Sequence, residues 1–463
     1  MPAFISARLF AARAGAMAMA LPILLAGPTP STAAILSHAM SPAADSTSSY
    51  EAVDWLSPDA SPNARVFYTP HQIATAYDFQ SLFAAGLNGA GRTIVIVGAY
   101  QNPFIVRDLN LFDHAFGLTG PPAFRTFTPD GLTAFDYSSA IQRGWSGEIA
   151  VDVQWAHAMA PGAAIDLVLA KSQEDADLNT ALAYAVDHNL GDVISMSFGE
   201  GEACMDPAVR ARMHHIFAAA LRKGMTLVAA AGDTGAGQPD CSGAHRLFLS
   251  ASIPASDPLV TAVGGTSLRA DTAGAYIGES AWKGSGGGFS TEFKRPSYQK
   301  KKDGIGRMRG VPDVAYDAAL DGGFPIVWSS SGFLGTTFGV PVGVIASGTS
   351  SGTPQWAALI AIADQARGER LGGLNGTIYA LGRARSAAFH DITVGDNIVP
   401  VGAGHAPAGY SAAPGWDPVT GGGTPDAGKL VALLAATGRD GEQQRDSETQ
   451  SQGDSGQGNQ QDN

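Results

Sequence analysis

The sequence predicts an α/β fold, a central and mostly parallel sheet flanked by helices. Two observations carry this. Short apolar runs, TIVIVGA (93–99), AIDLVLA (164–170), DVISMSFG (192–199) and TLVAAAGD (226–233), read as buried strands. Helical patterns around 104–117, 146–159, 174–189 and 206–223 fall between them. Strands that are apolar throughout are covered on both faces, and strand–helix–strand alternation implies right-handed crossovers between parallel neighbours. With 463 residues, 45% hydrophobic, the chain can bury the core of one large domain or two ordinary ones.

The strand signal begins well inside the chain. Residues 1–34 place Arg8 and Arg13 ahead of an apolar, alanine-rich run that ends in small residues near Thr32–Ala34. This is the layout of a secretory signal peptide; an uncleaved N-terminal anchor is the alternative. Residues 35–65, rich in Ser, Ala, Asp and Pro, read as a linker. Residues 66–437 then run without an obvious break, with a less periodic Gly-rich part from about 280 to 345 that is expected to give loops and a smaller sheet. The polar tail 438–463 has no apolar periodicity and reads as disordered.

A formal net charge of −13 argues against a nucleic-acid partner. The two cysteines, Cys204 and Cys241, are too few for a four-thiolate zinc site. After export they form either a disulfide or two free thiols.

Within the domain, GEIAVDVQWAHAMAPGA (147–163) suits a buried helix that stops at Pro161-Gly162. Glu148 and Asp152 are four residues apart and share one face of it. Two carboxyls this close in a poorly hydrated site cannot both ionise cheaply, so they tend to share a proton and suit acid–base work at low pH. A solvated acidic face is the plainer reading. In ASGTSSGTPQWAALIAIADQA (346–366), Ser350 opens an apolar helix, where backbone N–H groups and the helix dipole favour a nucleophile with an exposed hydroxyl. An ordinary helix cap is the alternative. None of the ten histidines is followed by glycine, so the usual His-Gly base signature is missing, and His157 reads as a packed residue.

Asp233 follows an apolar strand, at the end where parallel sheets carry their sites, or simply closes a turn. Asp391 in FHDITVGDN and Asp417 in SAAPGWDPVTGGGTPD lie among glycines and loop carbonyls, the all-oxygen surroundings that suit calcium, without EF-hand spacing. GSGGGFS (284–290) lacks the lysine and the strand–loop–helix context of a phosphate loop, so nucleotide binding is rejected. Asn375-Gly376-Thr377 has the pattern of a glycosylation acceptor.

Together these blocks resemble the sedolisins, serine-carboxyl peptidases with a subtilisin-like three-layer fold, over roughly residues 66–436. The resemblance rests on YTPHQIATAYDF (68–79), the 147–163 helix, DVISMSFG, AAAGDTGA, DCSGA, IPASDPLVTAVGGTSL, GGGFSTEFKRPSYQ, GVPDVAYDA, ASGTSSGTPQWAAL and GWDPVTGGGTP, in that order. It implies that Glu148 and Asp152 replace the histidine and its orienting acid, that Ser350 is the nucleophile and that Asp233 is the oxyanion-hole acid. It also implies one structural calcium ion on Asp391 and Asp417 with the carbonyls of Ile392, Ala413 and Gly415, Ala413 standing where relatives more often have Gly. Ser197, Phe198 and Gly199 correspond to the segment that pairs with substrate backbone. The implied protein is a secreted, monomeric endopeptidase of acidic optimum acting on proteins or peptides. A tripeptidyl-peptidase, or a non-catalytic binding protein on the same scaffold, is the alternative.

Three departures stand out. About 30 residues separate the expected cleavage point from the domain, too few for the large propeptide that sedolisins usually carry. The first strand, IVIVGAY, offers none of the extra carboxylate that some relatives hydrogen-bond to the catalytic Glu. Phe198 stands where relatives often have Trp.

Overall fold

A computed structural model describes residues 67–436, except 243–245, 333–336, 385 and 405, together with two short strands, β1 (Ser41–Pro42) and β2 (Tyr50–Glu51). These two strands are the described part of the expected linker; the expected signal peptide and polar tail lie outside the described residues. Among those described, no helix is long and apolar enough to cross a membrane.

The central sheet is built from β3 (Thr93–Ala99), β4 (Phe124–Phe127), β5 (Ala164–Ala170), β6 (Val193–Met196), β8 (Thr226–Ala230) and β9 (Thr261–Ala270). β7 (Phe198–Gly201) leaves the sheet after β6. The sheet is completed by β10 (Tyr276–Ala281) and β11 (Val314–Asp317), and the order runs β10–β9–β8–β6–β3–β5–β4 with β11 beside β9. All these pairs are parallel except β9 with β10. β3 and β5 stay in register over seven residues, from Thr93↔Ala164 to Ala99↔Ala170.

Alternate residues of β3 face opposite layers. Ile94 and Ile96 join a core with α4 (Ala140–Met159) and α7 (Thr349–Arg367), represented by Ile149, Val153 and Ile360. Val95 and Val97 join a second core with α5 (Asp175–Asp187) and α6 (Pro207–Arg222), represented by Leu178 and Phe217. Two covered faces explain why the strand runs are continuously apolar. The remaining helices are α1 (Pro70–Ala76), α2 (Phe79–Ala84), α3 (Ile105–Phe116), α8 (Asn375–Arg383) and α9 (Ala427–Ala436).

Two expectations shift. The stretch 192–199 is two strands, because the chain turns at Ser197; β7 then pairs with the Ser252–Ile253 strand and with β1. α4 starts six residues before the expected 146, at a Ser139 cap that accepts from Gln142 N. Its first turns, Gln142 and Arg143 among them, carry no apolar period to announce them. The Gly-rich region supplies a hairpin, β12 (Phe324–Val327) with β13 (Gly343–Ala346), on whose free edge β2 lies. Gln154 docks α4 on this hairpin through both backbone groups of Val327, at 2.8 and 2.9 Å.

Candidate active site

Three chain turns converge at the carboxyl ends of β6 and β8, where the parallel sheet changes winding direction about β3. α4 brings Glu148 and Asp152, one turn apart and each only 1% exposed, so the solvated-face reading does not hold. The break after β6 brings Ser197, whose Oγ donates to Asp152 Oδ1 at 2.6 Å and lies 3.5 Å from Ser350 O. The start of α7 brings Ser350, second residue after the Gly348 cap. Pro354, four residues on, has no N–H to bond Ser350 O, so that carbonyl faces Ser197 instead of a helix partner.

Burial raises the Glu148 carboxyl well above its ordinary range, the nearby Asp152 charge adds to this, and the Ser350 hydroxyl offsets part of it. Asp152 is raised by burial and partly relieved by Ser197. Glu148 Oε1 and Oε2 and Ser350 Oγ face one another without a fully formed hydrogen bond, as catalytic contacts often do before substrate arrives. Ser350 is 1% exposed, against the exposed hydroxyl expected at a helix start, because α4 packs on α7 and Ser197, between β6 and β7, lies against its carbonyl.

Asp233 follows β8, and its Oδ1 accepts from both Thr349 N and Thr349 Oγ1 at 2.8 Å. This clamp needs close backbone approach. Gly348 has φ +111°, and a Cβ there would lie 2.3 Å from Asp233 Oδ2. A Cβ on Gly286 would sit 2.0 Å from Ala231 O, so the glycine run that resembled a phosphate loop instead lets that segment pack on the Asp233 turn, through Gly286 N to Gly232 O at 2.7 Å. Thr349 was not singled out by sequence reasoning; its position between Gly348 and Ser350 was the available signal.

Phe198 is fully buried against Trp145, with ring centroids 6.1 Å apart, so its side chain belongs to the core. His157 is buried too, with Nε2 3.3 Å from Asp113 Oδ1, a packed residue. Cys204 and Cys241 form a disulfide with Cα atoms 5.2 Å apart. Asn375 is 5% exposed and bonded to Thr261 Oγ1, Val260 O and Tyr298, so the folded chain does not present it for glycosylation.

Asp391 and Asp417 meet around one loop. Both Asp391 oxygens accept from Gly415 N, at 3.1 and 2.9 Å; Asp417 accepts from Ala413 N, Val419 N, Thr420 N and Thr420 Oγ1. Gly415 has φ +83°, a left-handed turn that suits glycine. Burial pushes Asp417 up to about 6. Neither carboxyl makes an ion pair among the described residues, and no group of three or more Asp, Glu, His or Cys forms there or elsewhere among them.

The sequence model of the subtilase family matches residues 144–376, which span Glu148, Asp233 and Ser350. The chain is 34% identical over 396 residues to kumamolisin of Bacillus sp. (strain MN-32), covering 82% of this chain and 65% of that relative. This chain belongs to the subtilases, in their sedolisin branch. Sedolisin of Pseudomonas sp. (strain 101) is 31% identical over 393 residues, covering 80% and 62%. A solved structure of Pseudomonas sedolisin, complexed with two molecules of pseudo-iodotyrostatin, superposes with a TM-score of 0.67 at 29% identity, over 81% of this chain and all of that one. The chain therefore spans just under two thirds of the length of these curated relatives.

Proposed function

We propose that this sedolisin-branch subtilase is a secreted, acid-acting serine-carboxyl endopeptidase. The observation that carries the reading is the convergence of Glu148, Asp152 and Ser350 in one buried pocket, with Asp233 held beside it on Thr349. Glu148 takes the Ser350 proton as Oγ attacks the scissile carbonyl, then returns it to the leaving amine. Asp152, fixed by Ser197, orients Glu148 and shares its proton. Protonated Asp233 donates to the tetrahedral oxyanion, and water then releases the acyl group from Ser350. Burial and mutual repulsion leave Glu148 and Asp152 sharing one proton in mild acid, so one carboxylate remains to take the Ser350 proton, which is why the optimum lies there. Ser197, Phe198 and Gly199 bind the substrate by backbone pairing.

The Asp391/Asp417 loop is the candidate calcium site, since two carboxyls without a cationic partner, Asp417 buried and Asp391 exposed, come together on one loop. The carbonyls of Ile392, Ala413 and Gly415 complete the set. The ion would tie the loop to the core and takes no part in bond cleavage. The monomer is secreted by way of its N-terminal segment.

Purified protein assayed on an N-blocked peptide in mild acid tests this reading. Cleavage by the wild type and its loss in Ser350→Ala are expected. Undiminished cleavage by the variant would remove Ser350 from the mechanism, and cleavage confined to N-free peptides would favour a tripeptidyl-peptidase.

A further inference from the structure

Glu148, the proposed base, is not held by any donor outside the proposed machinery. Both of its oxygens are buried without a formed hydrogen bond, whereas Asp152 is tied by Ser197. The groups acting on its carboxyl are Asp152, Asp233 and the Ser350 hydroxyl. Its reach is therefore set by the backbone of α4 at the turn that carries it.

That turn is gripped from outside the helix. Ser146 is fully buried; its O accepts from Asn102 Nδ2 at 2.9 Å, and its Oγ accepts from Trp328 Nε1 at 2.9 Å while donating to Arg143 O at 2.7 Å. A Cβ on Gly147 would lie 2.9 Å from Trp328 Cζ2 and 3.0 Å from Cη2. The outer edge of the indole thus rests on the Gly147 backbone, one residue before Glu148. Trp328 follows β12 directly, is 3% exposed and is itself braced. Its N donates to Val342 O at 2.9 Å across the hairpin. The next residue, Ser329, donates to Asp108 of α3 from its N, at 2.9 Å, and from its Oγ.

We propose that Trp328 is a positioning residue for Glu148: its indole, braced by α3 and the hairpin, fixes the Ser146–Gly147 turn and with it the reach of the carboxyl toward Ser350 Oγ. The inference rests on the peptidase reading given above. Proton transfer needs the two heavy atoms within about 2.6–3.2 Å, and a misplacement of about 1 Å can cost about 100-fold in rate. A shift of this turn therefore slows the chemical step, while β7, the strand proposed to pair with substrate, stays where it is. The signature is a loss in kcat with KM preserved.

The test is a double-mutant cycle on the purified full chain, read with an N-blocked peptide in mild acid. Trp328→Phe removes the indole N–H and the outer ring edge while filling most of the site. Its kcat per folded molecule is expected to fall about tenfold, with KM within about twofold of wild type. Gly147→Ala drives a methyl into the indole, although alanine is otherwise the better helix former. It should lower kcat by a similar factor in the wild type and have little further effect in Trp328→Phe, where the opposing ring edge is gone. A folded Trp328→Phe variant with wild-type kcat would overturn the positioning role. So would losses that simply multiply in the double variant, since these mark independent packing defects. Should Trp328→Phe not fold, Gly147→Ala alone decides: the same loss at constant KM supports the role, and unchanged kcat overturns it. A wild type that cleaves no peptide would instead overturn the peptidase reading.

Discussion

Ser197 Oγ holds Asp152 Oδ1 at 2.6 Å from a break between two strands, so the carboxyl pair on α4 is fixed from the opposite side of the cleft. Ser197→Ala removes that donor and leaves Asp152 buried with one hydrogen bond fewer. A fall in kcat of about 10-fold, with a smaller change in KM, is expected, the size of one lost charge-assisted hydrogen bond. Steady-state kinetics check it, and unchanged kcat would show that Asp152 needs no such anchor.

Gly348→Ala places a methyl 2.3 Å from Asp233 Oδ2 at a φ of +111°. The Asp233–Thr349 clamp must then open. We expect a loss of about 1–3 kcal/mol in stability together with reduced kcat. Thermal melting and kinetics on the same preparation test both, and a fully active, equally stable variant would contradict the clamp.

The acid pair also sets a pH dependence of stability. Glu148 and Asp152 have folded pKa values raised above their unfolded ones, so the folded state binds more protons. Their stabilising contribution is fully present below about pH 4 and is lost as pH rises through the folded values, at up to about 1.4 kcal/mol per pH unit for each group. Glu148→Gln should therefore melt higher than wild type near pH 7 and flatten the fall in Tm above pH 4. Parallel slopes for the two proteins would show that this carboxyl is not raised.

For the Asp391/Asp417 loop, chelation with EGTA should lower Tm, by a linkage term of about 2.7 kcal/mol when free calcium had been 100 times Kd. Asp417→Asn should show a lower starting Tm and little response to EGTA. Because burial pushes Asp417 up to about 6, calcium should bind less tightly below that pH. A wild-type Tm that ignores chelator would rule the ion out.

Much of this was legible in the residues. β3 and β5 match their apolar runs, since strands covered on both faces leave unbroken apolar text. The Glu148/Asp152 spacing and the Gly-Thr-Ser start of α7 were legible because helix geometry is local. What stayed hidden was non-local. Nothing near Thr349 in sequence marks its partner Asp233, and nothing near Ser197 marks Asp152. The burial of Asn375 and of Phe198 is likewise set by distant partners.

The most direct test of the account is kcat/KM of Glu148→Gln on an N-blocked peptide across the acid range, with circular dichroism showing that the variant is folded. A fall of about 10²–10⁴-fold is expected at the wild-type optimum, the usual worth of a positioned acid–base group. A folded Glu148→Gln variant with wild-type kcat/KM at that optimum would contradict it.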